Sequence, residues 1–188
     1  MLLEWLSRVR GRLGGSALAR ALRRLGLREL VLGPYERAIL RRGTHRLRVA
    51  GQLVRFAVAD RAELAWLDWF RRIEGPFVDR LLRALRPGEV LFDVGANVGV
   101  VSVLAAVVGR PAGVAVHAFE PQKELAERIA ANARLNGCTH SIRVHALALG
   151  RQRGRLPLYP HADNPGAASL VPGAWHRAEP RWVPVERG

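Results

Sequence analysis

A chain of 188 residues, 49% of them hydrophobic, is long enough for one domain of ordinary size with an extension and can furnish a real core. No run of eighteen apolar residues occurs, and "MLLEWLSRVRGRLGG" meets Glu4 and Arg8 before any stretch of signal-peptide length, so neither a membrane span nor a leader is expected and the protein reads as cytoplasmic. The single cysteine, Cys138, excludes intramolecular disulfides and cysteine-based zinc sites, while a formal charge of +14, from 30 basic and 16 acidic residues, favours any polyanion without selecting one.

Lys123 is the only lysine. An arginine, alanine, glycine and valine bias of this kind suits a GC-rich bacterial genome as well as a nucleic-acid binder, so no specific nucleic-acid partner is expected. Residues 1–42 are arginine-rich, with Leu2, Leu3, Leu6, Val9 and Leu13, then Leu18, Leu22, Leu25 and Leu30, at helical spacing; Gly14 and Gly15 divide two short amphipathic helices. Such helices could make peripheral contact with an anionic membrane or bind an acidic partner, but a helical extension packed on its own domain is the favoured reading.

"HRLRVAGQLVRFAVA", residues 45–59, alternates apolar and polar positions around a turn at 50–52 and predicts a hairpin. "DRAELAWLDWFRRIEG" then predicts a helix with Asp60 as N-cap and Glu63 as its capping-box partner. Trp66, Trp69, Phe70 and Ile73 are expected on its core face rather than as stacking platforms for single-stranded nucleic acid. From residue 76 the pattern becomes helix, strand, helix, strand, helix, strand. "PFVDRLLRAL" is a helix; "VLFDV", 90–94, is a continuous run of the kind buried on both faces of a parallel sheet. A helix is expected over 97–108, a strand over 114–120, a helix over 121–137, and a third strand over 142–149. Beyond Gly150 the tail is rich in proline, and only "RLPLY" and "RWVPVE" look extended. The order implies an α/β fold, a Rossmann-like doubly wound parallel sheet, with residues 1–75 as a basic helical and hairpin extension and 76–188 as the sheet-forming part.

In open α/β sheets ligands bind beyond the carboxyl ends of the strands. Asp93 and Glu120 end the first two strands of the series and should face one crevice. A phosphate loop would need lysine followed by serine or threonine after the glycines, and a dinucleotide fingerprint would need glycine where Asn97 and Val100 stand. S-adenosylmethionine, whose amino-acid end carries an ammonium beside a cationic sulfonium, suits the residues better. Asp93 would hold the ammonium, Gly95 and Gly99 would let the backbone approach, N–H groups near Asn97 and Val98 would receive the ligand's carboxylate, and Glu120 would accept from both ribose hydroxyls, with Pro121 and Gln122 flanking the adenine. The competing reading has Asp93 merely capping its turn and Glu120 merely capping the helix after Pro121.

"VLFDVGANVGVVSVLAA", "VHAFEPQKELAERIAANARLNG" and "IRVHALALGRQRGRLPL" run in the order and at the spacing of a known family: over residues 43–188 the chain resembles the FkbM family of S-adenosylmethionine-dependent methyltransferases. The resemblance implies the class I methyltransferase fold and O-methylation of a hydroxyl on a sugar, polysaccharide or natural-product scaffold. By position it implies Asp93, Gly95, Ala96, Asn97 and Gly99 as the first cofactor motif, Glu120 as the ribose-binding acid, and Ala148 in the segment lining the adenine side. Arg151 and Arg153 stand where the family usually carries an acid. The later acidic strands of the family have no counterpart in 150–188, so the sequence corresponds to the front half of the domain and its sheet is expected to be incomplete. An incomplete sheet would expose an unpaired edge, and poor solubility is expected.

Methyl transfer to a neutral hydroxyl benefits from a general base. His145 and His161 are the local candidates, no catalytic residue is assigned, and six histidines scattered through the sequence give no metal site. The alternative function is an inactive methyltransferase remnant that serves as a basic interaction module. The acceptor and the oligomeric state are not legible.

Overall fold

The computed structural model describes residues 28–49, 51–161, 168–173 and 179–188; the helices expected within 1–27 lie outside these. The chain divides into two compact units, 1–79 and 80–188.

In the first unit, helix α1 (Arg28–Arg42) runs through Pro34 and buries Leu32, Tyr35, Glu36 and Ile39 at spacings of three and four. Leu30, expected on the apolar face, is 73% exposed. Strands β1 (Thr44–Val49) and β2 (Gln52–Ala57) form the expected hairpin, with Leu47, Val49, Val54 and Phe56 buried on one face. Each such side chain contributes about 1.5–3 kcal/mol by leaving water. Helix α2 (Arg61–Ile73) starts as its sequence requires: Asp60 Oδ1 accepts the Glu63 N–H at 2.8 Å, and Glu63 Oε2 accepts the Ala59 N–H at 2.7 Å. The core face differs from expectation, because Leu64, Leu67 and Phe70 are buried while Trp69 and Ile73 are 43% and 52% exposed. Leucines three apart, not the tryptophans, fill the space against the hairpin.

Helix α3 (Gly75–Ala84) leads to the second unit, which is built on the parallel strands β3 (Val90–Val94), β4 (Ala115–Phe119) and β5 (Ile142–His145), paired in that order. Helix α4 (Val100–Gly109) connects β3 to β4, and α5 (Lys123–Leu135) connects β4 to β5. This is the α/β arrangement with a Rossmann-like parallel sheet. Val103, Leu104, Val116, Ala118 and Ile129 are fully or almost fully buried between sheet and helices.

Two expectations about the strands are corrected. No position of the run 90–94 is buried: Leu91 and Asp93 are half-buried, and Val90, Phe92 and Val94 are 51%, 59% and 60% exposed, because among the described residues nothing covers that face of the sheet. The segment 142–149 is not one strand; after His145 the chain leaves the parallel sheet, and β6 (Ala148–Gly150) joins a second sheet of order β6-β8-β7 with β7 (Gly154–Leu158) and β8 (Arg181–Arg187). The α4 helix also begins later than expected, at Val100 rather than 97, because residues 95–99 form a turn. No helix among the described residues is long and apolar enough to cross a membrane.

Candidate functional site

Parallel pairing of β3 with β4 sets Asp93 beside Ala118 and Val94 beside Phe119, so the two strands end together and the following residues, the glycine turn and Glu120, meet. The turn is held to the neighbouring strand by its own amides: Gly95 and Ala96 both donate to the Phe119 carbonyl, at 2.9 and 3.0 Å. Three residues take a left-handed backbone, Gly95 at φ +77°, Asn97 at +54° and Gly99 at +80°. Asparagine is the side chain that tolerates this region best, which gives Asn97 a conformational reason to be there.

Glu120 is the hinge of the arrangement. Its side chain is 4% exposed; Oε2 accepts the Asn97 N–H and Oε1 accepts the Gln122 N–H, both at 2.9 Å. The expected cap is therefore real at Gln122, but the same carboxylate also ties the glycine turn to the loop after β4, a link that helix capping alone does not require. The expectation that the Asn97 N–H receives a ligand carboxylate is corrected: Glu120 takes that N–H, whereas the Val98 N–H has no hydrogen bond among the described residues. Asp93 is held on the helix side, its Oδ2 accepting the Ser102 hydroxyl at 2.6 Å.

Burial pushes both carboxyls above their ordinary range. For Asp93 the Ser102 hydroxyl and N–H pull the other way; for Glu120 the amides of Gln122 and Asn97 do so, while the charge of Asp93 adds to the rise. Two carboxylates close enough to oppose each other's ionisation form a place where a cation is welcome and a phosphate is not.

The two glycines separate in role. A Cβ on Gly95 would meet nothing within 4 Å, so its side faces open space. A Cβ on Gly99 would lie 2.9 Å from Ile129 Cγ2, so the close approach of α5 requires glycine at this position. Ala96 is 7% exposed and packs with Ala118 and Ile129. Pro121 is half-buried beside Glu120. Ala148 is buried in the second sheet, paired with Val185.

Ser102, Asn132 and Ile129 escaped the sequence reading. Asn132, fully buried on α5, donates its amide to the Val98 carbonyl at 2.8 Å and so braces the turn from behind. Its signal was a polar residue in line with the buried Ala126, Ile129 and Ala133. His145 and His117, distant in sequence, meet with ring nitrogens 3.1 Å apart, and the His145 ring stacks on Phe119 at 4.5 Å. Burial and the neighbouring His117 and Arg143 lower the His145 pKa, which favours its neutral form. His161 is half-buried in the loop after β7. No group of three or more metal-ligating side chains occurs among the described residues. Cys138 is buried, and burial raises its thiol pKa.

No family model matches the chain. It is similar to the 31-O-demethyl-FK506 methyltransferase FkbM of Streptomyces tacrolimicus, with 44% identity over 82 residues, 42% of this chain and 29% of that protein. The chain thus spans under a third of the relative it matches. Among solved structures, PH0793 of Pyrococcus horikoshii aligns with 62% of this chain and 49% of its own, at 16% identity and a TM-score of 0.43. YjhP of E. coli aligns with 40% of this chain and 32% of its own, at 15% identity and a TM-score of 0.33.

Proposed function

We propose that residues 80–188 carry the S-adenosylmethionine-binding part of a methyltransferase of the FkbM type, acting on a hydroxyl of a sugar, polysaccharide or natural-product scaffold. One observation carries the reading: a buried carboxylate, Glu120, and a half-buried one, Asp93, from the ends of adjacent parallel strands gather around a glycine turn, and Glu120 already occupies the amide a phosphate would need. The resemblance to FkbM over 82 residues adds to it.

The donor set fits the cofactor. Asp93 answers the ammonium of its amino-acid end, and relief of the Asp93–Glu120 repulsion by that positive charge strengthens binding. Glu120 accepts the Asn97 and Gln122 amides and the Gln122 side chain, and its remaining lone pairs would serve the ribose hydroxyls. The open side of Gly95 admits the ligand close to the backbone. When bound, the cofactor supplies an electrophilic methyl carbon for in-line displacement by the acceptor oxygen. The chain's part is to fix the geometry and to offer a base for the hydroxyl proton; neutral His145 is the base candidate at the carboxyl end of β5.

A second reading, cofactor binding without turnover, is favoured by the free edge of β3, beside which no strand stands among the described residues to frame an acceptor. Cytoplasmic location is part of the first reading, since the cofactor is a cytosolic metabolite. Isothermal calorimetry tests the binding common to both: one equivalent of S-adenosylmethionine should bind the wild type, and Asp93→Ala together with Glu120→Ala should abolish the heat. Equal heats from both proteins would refute the site. Transfer of labelled methyl to a panel of hydroxylated acceptors then separates the readings.

A further inference from the structure

Ser102 stands apart from the helix that carries it. The α4 sequence, VVSVLAAVVG, contains no other polar side chain, and Ser102 is fully buried. A buried helical serine ordinarily returns its hydroxyl to a backbone carbonyl one turn earlier. Here the hydroxyl crosses to β3 and donates to Asp93 Oδ2 at 2.6 Å, the short distance typical of an O–H bonded to an ionised carboxylate.

We propose that Ser102 is a positioning residue of this site: through its hydroxyl it holds the Asp93 side chain in one rotamer, as the anion, before a cationic ligand arrives. The proposal rests on the reading of Asp93 as the contact for the cofactor's ammonium. Without the hydroxyl bond, Asp93 keeps only the Ser102 N–H against its burial and takes up a proton more readily. Preorganisation of this kind saves the cost of ordering the contact at the moment of binding.

The charged neighbour that faces Asp93 is Glu120, whose own ionisation Asp93 opposes. From the packed helices none comes: α4 has no charged residue, and the buried face of α5 is Ala126, Ile129, Asn132 and Ala133. Ser102 is thus the group that favours the Asp93 anion against burial.

The test uses the full chain with Ser102→Ala and Ser102→Cys. Alanine is the strongest helix former and cysteine is nearly isosteric with a weaker donor, so α4 should persist in both by far-ultraviolet circular dichroism. Carbon-detected NMR follows the titration of the Asp93 carboxyl without ligand, and calorimetry follows S-adenosylmethionine. The expected result is a graded rise of the Asp93 midpoint, wild type below Cys below Ala, with affinity at neutral pH falling about tenfold in the Ala variant. An unmoved midpoint in Ser102→Ala would overturn the proposal, since a purely structural serine would not set the ionisation of Asp93. A shifted midpoint with no heat from the wild type would remove the cofactor reading and leave the hold of Ser102 on Asp93 standing.

Discussion

Asp93 and Glu120 place stability and binding in opposition. Burial raises both carboxyl pKa values, so the folded chain holds protons there more tightly than the unfolded one. Their contribution to stability is present at low pH and is lost as pH rises through the folded-state values. Binding of a cationic ligand runs the other way, because it needs the ionised forms. Affinity for S-adenosylmethionine is therefore expected to weaken as pH falls from about 7 towards the ordinary carboxyl range near about 4, with protons released on binding, measurable as buffer-dependent calorimetric heats. Affinity that holds constant over that window would contradict the assignment. Asp93→Asn keeps an acceptor for Ser102 but removes a half-buried charge. Its melting temperature at neutral pH should equal or exceed that of the wild type, by about 2–4 °C for each kcal/mol recovered, while cofactor binding is lost. A lower melting temperature would mean that the Asp93 charge supports the fold.

The elements differ in how openly their sequences declared them. The hairpin and the Asp60 cap were legible because alternation and capping chemistry are local. The strand and helix alternation after residue 76, and the meeting of Asp93 with Glu120, followed from the rule that parallel strands end on one side of the sheet. What failed was non-local. The exposure of Phe92 depends on what stands beyond β3, and the break after His145 depends on β8, more than thirty residues later, capturing Ala148–Gly150. The close packing of Gly99 on Ile129 is visible only once α5 is laid against the turn. Gly99→Ala combines a positive φ with a contact of 2.9 Å and should cost about 1–3 kcal/mol in chemical denaturation. Gly95→Ala has the φ strain without the overlap and should cost less stability. Equal losses would remove the distinction between the two glycines.

At the scale of the molecule, one side of the parallel sheet is open. Among the described residues, Val90, Phe92 and Val94 expose apolar side chains on an edge strand without proline, Phe92 lying in a stack with His117, Phe119 and His145. Such an edge invites pairing with other strands. The chain is expected to associate with rising concentration in sedimentation experiments, and Phe92→Lys should suppress this; a monomer at all concentrations would contradict it. Asp93 and Glu120, at the carboxyl ends of β3 and β4, form an acidic pair within a chain of net charge +14, which is hard to explain as general surface chemistry. What that pair binds is the central question. Titrating the wild-type chain with S-adenosylmethionine and, separately, with a nicotinamide dinucleotide decides it: the account predicts one-to-one binding of the first and none of the second. Heat from the dinucleotide alone, or from neither, would contradict it.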